Sequence, residues 1–138
     1  MYERLLVAVD HSAITERVIA AAKDLASLSK GEVWVLHLRE REVMPQLGLV
    51  PSESDTEAHA AVEAVVAALT AAGVKASGEV RNVVFGHTAR EIVEDAKERD
   101  VGVIIMGSRG RSDLTGLVLG STAHKVIHLA DRPVLVVR

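Results

Sequence analysis

The sequence predicts an α/β fold in one domain, a parallel sheet with right-handed crossovers and helices on both faces. Three observations predict it. Short apolar runs rich in β-branched residues recur along the chain, as they do in strands buried on both faces of a parallel sheet. Segments with apolar residues at three- and four-residue steps, the helical spacing, separate them. The resulting order is β-α-β-α-β-α-β-α-β. A chain of 138 residues fits a single domain over 1–138 and can bury roughly 70% of the surface its unfolded form exposes. Tyr2, Trp34 and Phe85 are the only aromatic residues, so Val, Ala, Leu and Ile must fill the interior.

Leu5–Val9 forms the first strand. Ser12 is placed to cap a helix that carries Ile14, Val18, Ala21, Leu25 and Leu28 and stops at Gly31. Val33-Trp34-Val35-Leu36 is the second strand, and residues 39–53, with Pro45, Gly48 and Pro51, read as a long loop of the kind that often carries function. The capping-box spacing Ser54-x-x-Glu57 opens a second helix through Ala58, Val62, Val65, Leu69 and Ala72. Val74–Val84 alternates, with Val74, Ala76, Gly78 and Val80 on one side, and so reads as a strand near an edge. A third helix starts near Thr88 and turns Ile92, Val93 and Ala96 inward. Val101–Met106 is the fourth strand. The fourth helix covers roughly Ser121 to Ala130, Pro133 marks its end, and Val134–Val137 closes the sheet.

Sixteen basic against nineteen acidic residues leave a net charge of −3, which argues against a nucleic-acid surface or a polybasic membrane patch. The absence of Cys excludes disulfides and thiol catalysis. Met1–Arg4 runs straight into the first strand without a signal-peptide apolar region, and the apolar runs are too short to span a bilayer. A cytoplasmic location is the expectation.

Ligands of open α/β sheets bind outside the carboxyl ends of the strands, where the winding reverses. Asp10 closes the first strand and Gly107 the fourth. If the winding returns to the other side of strand one, these ends lie side by side. The segment that follows, Ser108-Arg109-Gly110-Arg111-Ser112-Asp113-Leu114-Thr115-Gly116, is polar, basic and glycine-rich. Gly107-x-x-Gly110 is followed after nine residues by Gly120-Ser121-Thr122. Gly107 and Gly110 let backbone approach a ligand and permit positive φ. Gly120, Ser121 and Thr122 set N–H groups and hydroxyls at a helix N-terminus, which favours phosphate, and Arg109 and Arg111 add charge-assisted contacts. Turns alone also explain glycines at strand ends and helix starts.

Other nucleotide and hydrolase signatures are missing. Gly116–Thr122 resembles a P-loop, but Ser121 holds the Lys position. No G-x-G-x-x-G follows the first strand, and no G-x-S-x-G occurs. His124 and His128 stand at i, i+4 without a third ligand and read as a solvated or interfacial pair. His37 reads as a core or rim residue and His87 as part of a turn. His11 cannot form a triad with its immediate neighbours. No metal site is assigned.

Taken together, Leu5–Asp10, Leu36-His37-Leu38, Gly86-His87-Thr88-Ala89, Ile105–Gly110, Gly120-Ser121-Thr122 and Pro133–Val137 resemble the universal stress protein family, in order and over the whole chain. The glycine spacing resembles the ATP-binding hallmark of that family. The resemblance implies a three-layer, Rossmann-like, five-stranded sheet in the order 3-2-1-4-5. It places adenine near Ala8, Val9, Asp10 and the Leu38 backbone, ribose against Met106 and Gly107, and phosphates against Arg109, Gly110, Gly120, Ser121 and Thr122. ATP is the implied ligand, with AMP, ADP or a cyclic nucleotide as alternatives and Mg²⁺ or Mn²⁺ accompanying the phosphates. A homodimer through Val134–Val137 is implied as well. His11 departs from the family pattern, where a smaller residue is frequent, and would narrow the adenine pocket.

The expected function is that of a nucleotide-binding stress-response sensor or regulator, with no general base in evidence for fast hydrolysis. Slow hydrolysis or autophosphorylation is the most expected of it, with Ser108, Ser112, Ser121 or Thr122 as acceptors. A nucleotide-free dimeric scaffold of the same fold is the alternative. A nucleotidyl transferase is disfavoured because Asp10–Ala13 supplies no H-[IV]-G-H signature.

Overall fold

The computed structural model describes residues 1–12, 14–109 and 119–138. Ten elements follow one another: β1 (Arg4–Ala8), α1 (Thr15–Ser29), β2 (Glu32–Met44), β3 (Gly48–Pro51), α2 (Asp55–Ala71), β4 (Ala76–Val84), α3 (Thr88–Glu98), β5 (Val103–Gly107), α4 (Ser121–Leu129) and β6 (Val134–Val137). Five strands are parallel in the spatial order β4-β2-β1-β5-β6. Counted without β3, this is the order 3-2-1-4-5.

The strand period of two explains why the apolar runs are continuous. Leu5, Val7, Val33, Val35, Val103 and Ile105 point to one face, where Val18, Ala22 and Ala26 of α1 and Val62, Val65 and Leu69 of α2 cover them. Leu6, Leu36, Leu38, Ile104 and Met106 point to the other, against Ile92, Val93 and Ala96 of α3 and Val126 of α4. Each strand therefore carries two apolar stripes, one per helical layer. Ser54 caps α2 by accepting from the Glu57 N–H at 3.1 Å, as the capping-box spacing requires.

Two expectations are corrected. Residues 39–53 are not a loop: β2 runs on to Met44, turns, and pairs antiparallel with β3 from Arg41↔Pro51 to Met44↔Gly48. Among the described residues the sheet therefore has six strands and is mixed rather than all parallel. Successive carbonyls of β2 point to opposite edges. Arg41 accepts from the Phe85 N–H beyond β4, and Glu40 accepts from the Ser52 N–H. The Leu36 carbonyl, four residues before Glu40, accepts from the Val9 N–H beyond β1. β3 thus lies on the β1 side of β2, above the end of β1.

The second correction concerns α1, whose N-cap is Ile14, with no side-chain cap bond. Ser12 instead donates its N–H to Asp10 Oδ1 at 2.8 Å, and Thr15 Oγ1 donates to the Asp10 carbonyl at 3.0 Å. Asp10 organises the turn that Ser12 was expected to start. Among the described residues no helix is long and apolar enough to cross a membrane.

Candidate functional site

β1 and β5 pair from Leu5↔Val103 to Val7↔Ile105, so their carboxyl ends meet at the point where the winding reverses. A cleft of about 590 Å³ opens there. Ala8, Val9 and Asp10 from β1, Leu38 from β2, Met106 and Gly107 from β5, Arg109, and Ser121 and Thr122 from α4 all line it. Nine of the eleven residues named from the sequence thus share one cavity. Gly120 does not line it, and Gly110 lies outside the described residues.

The two ends of the glycine segment are tied together. Ser108 donates its N–H to the Val137 carbonyl at 2.7 Å, and its own carbonyl accepts from the Gly120 N–H at 2.5 Å. The Gly120 N–H is therefore engaged, contrary to the expectation that it is free for a ligand. Gly120 adopts φ −73° and ψ 165° as N-cap of α4, and having no side chain it offers the first-turn N–H groups no cap of its own. Gly107 is also not a positive-φ glycine. A Cβ there would stand 2.6 Å from Ile14 Cγ2, so the absent side chain makes room for α1. Of the four expected acceptor hydroxyls, Ser108 is buried, Ser121 and Thr122 line the cleft, and Ser112 lies outside the described residues.

Sequence reasoning missed four features of the cleft. Lys125, one turn into α4, lines it beside Ser121 and Thr122 and supplies a cation that the glycine pattern does not signal. Gly86, at φ 89°, turns the chain from β4 into α3 at the rim. Ser12 Oγ is buried and has no hydrogen-bond partner among the described residues. The β2–β3 hairpin brings Ser52 and Glu53 over the cleft.

Glu53 is held from several sides. Arg39 Nε donates to its carbonyl at 2.9 Å. One carboxylate oxygen meets His37 Nε2 and the other meets His11 Nε2. The two imidazoles meet edge to face at 5.2 Å, and His37 Nδ1 donates to the Val9 carbonyl at 2.8 Å. Burial raises the Glu53 pKa, but the hydrogen bonds and charge of His37 and then His11 outweigh it and hold the carboxyl below its ordinary value. No fixed spacing links positions 11, 37 and 53, so the grouping becomes visible only in three dimensions.

Comparison with known proteins agrees with this architecture. The model of the universal stress protein family matches residues 1–138. Universal stress protein YxiE of Bacillus subtilis is 32% identical over 151 residues, spanning both chains fully. Universal stress protein MJ0577 of Methanocaldococcus jannaschii is 30% identical over 158 residues, covering all of this chain and 96% of that one. The solved structure of MJ0577 superposes with a TM-score of 0.80 at 27% identity, over 99% of this chain and 96% of the other. A universal stress protein from Archaeoglobus fulgidus, solved in complex with dAMP, superposes with a TM-score of 0.77 at 27% identity, over 99% and 98% of the two chains. This chain belongs to the universal stress protein family.

Proposed function

We propose that the cleft binds an adenine nucleotide, ATP foremost with AMP and ADP as alternatives, and that the chain acts as a stress-response sensor or regulator. The observation that carries the reading is the division of a single cavity into two chemistries. Part of its lining is apolar, formed by Ala8, Val9, Leu38 and Met106, as a flat base requires. Another part, the N-terminus of α4, the Ser121 and Thr122 hydroxyls and the cations of Arg109 and Lys125, suits phosphates. The volume of about 590 Å³ is ample for such a ligand.

The related Archaeoglobus fulgidus protein, solved in complex with dAMP, supports an adenine nucleotide as the ligand. Mg²⁺ or Mn²⁺ accompanying the phosphates, slow hydrolysis or transfer to Ser121 or Thr122, pairing of two copies through β6, and a cytoplasmic location belong to the same reading.

Calorimetric titration with ATP and with dAMP tests it. Lys125→Ala is expected to weaken ATP by roughly 10–100-fold, the value of a charge-assisted contact of about 1.5–3 kcal/mol, and to change dAMP less. Equal loss for both ligands would move the phosphates away from α4. Binding of neither by the parent chain would favour the nucleotide-free scaffold.

A further inference from the structure

We propose that His11 Nε2, His37 Nε2 and the Glu53 carboxylate form a divalent transition-metal site, for Zn²⁺, at the mouth of the cleft. These ligand atoms come from the turn after β1, from β2 and from the chain leaving β3, and all lie within 4.8 Å of one another. A tetrahedral Zn²⁺ with bonds of about 2.0–2.1 Å sets its ligands roughly 3.3 Å apart, so small side-chain rotations complete the site.

The hydrogen bonding of His37 fixes which nitrogen faces the cluster. Its Nδ1 faces the Val9 carbonyl at 2.8 Å and must carry the proton there. Nε2 is thereby aimed at the Glu53 carboxylate. A metal ion binds between the two by displacing the ring proton of their hydrogen bond, as such ligand sets release protons on binding metal. A backbone carbonyl receiving the other ring N–H is the usual outer-shell partner of a metal-bound imidazole, fixing its tautomer and orientation.

Burial and charge favour the same assignment. The His37 and Glu53 side chains are 5% and 4% exposed, and that of His11 is 30% exposed. The site is thus walled by protein and open on one side. Asp10, Glu40 and Glu42 line the same cavity and, with Glu53, outnumber its described cations Arg109 and Lys125. Two imidazoles and one carboxylate form a mixed nitrogen and oxygen set suited to Zn²⁺. The remaining coordination position faces the cleft, where water or a ligand donor can take it.

The experiment is a Zn²⁺ titration of the full chain, stripped of metal and free of nucleotide, against a chromophoric chelator. Because no nucleotide is present, its result is independent of the nucleotide reading. One Zn²⁺ per chain is expected. His11→Ala and Glu53→Gln should each weaken it at least tenfold, since losing even an outer-shell partner costs roughly 10–100-fold. A chain lacking both His124 and His128 should bind as the parent does. Nitrogen-15 spectra of the parent supply a readout that needs no variant: Zn²⁺ should shift Nε2 of His11 and His37 while Nδ1 of His37 keeps its proton. Absence of binding, parent-like affinity in His11→Ala, or shifts confined to His124 and His128 would overturn the proposal. In that event the three side chains serve only as a hydrogen-bonded bridge holding the hairpin over the cleft.

Discussion

At the residue scale, two positions show why a motif and its physical reason have to be separated. Gly107 belongs to the spacing that suggests phosphate binding, yet its missing side chain accommodates Ile14 at 2.6 Å. Gly107→Ala is expected to destabilise the fold by about 1–3 kcal/mol through overpacking. Ile14→Ala should then cost about 1 kcal/mol less in that background than in the parent, a coupling that urea denaturation of the four chains measures. Asp10 is the second case. Its carboxylate lines the cleft and also accepts from the Ser12 N–H, so Asp10→Ala should lower stability by about 1 kcal/mol and weaken adenine-nucleotide binding as well. Unchanged affinity would remove Asp10 from the site. The residues of the glycine pattern were legible because they are close in sequence. The meeting of His11, His37 and Glu53 was not, because the Pro and Gly residues of the hairpin that delivers Glu53 give it the pattern of a loop.

At the scale of elements, the strands with helices on both sides announce themselves by their apolar runs, and β2 beyond Leu38 does not. Arg39, Glu40, Arg41 and Glu42 continue the strand past the helical layers, where burial no longer demands apolar residues. The turn that follows takes its positive φ at Gln46 and Gly48, and Gln46 is not a residue that marks such a conformation. α3 is fastened to the sheet by a network that composition conceals. Asp95 is fully buried and accepts from Trp34 Nε1 at 2.9 Å. Arg81 reaches it at 2.7 Å and Arg99 Nε at 3.1 Å, while the Arg99 guanidinium stacks 3.3 Å from the centroid of the Trp34 ring. Burial disfavours the Arg81 charge, but Glu79 and Asp95 outweigh it and raise its pKa above the ordinary value. Asp95→Ala leaves two guanidinium groups and an indole N–H without their carboxylate and should cost about 3 kcal/mol. Trp34, the only tryptophan, reports the unfolding by fluorescence, and a loss below about 1 kcal/mol would make the network incidental.

At the scale of the whole molecule, the crossovers set the site before any side chain does. Placing β5 beside β1 brings the end of one half of the sheet against the end of the other, and the cleft follows from that topology. This much was legible from the alternation of elements together with the family resemblance, whereas the cover over the cleft came from the antiparallel addition of β3. The free edge of β6 is the other consequence of the topology. Leu135 is exposed there, and among the described residues β6 pairs only with β5. If two copies join along this edge, Leu135→Lys should yield single chains by light scattering and leave cleft binding intact. An unchanged mass would place any self-association elsewhere.

The measurement that bears most directly on the cleft is the ultraviolet spectrum of the purified chain, followed by mass spectrometry of whatever denaturation releases and by thermal unfolding with added ATP and Mg²⁺. With one Trp and one Tyr absorbing, a retained nucleotide dominates the spectrum. We expect released ATP, ADP or AMP, or, for a chain isolated empty, a rise in melting temperature with ATP that Lys125→Ala reduces. An empty chain whose melting temperature ATP and Mg²⁺ leave unchanged would contradict nucleotide binding in this cleft.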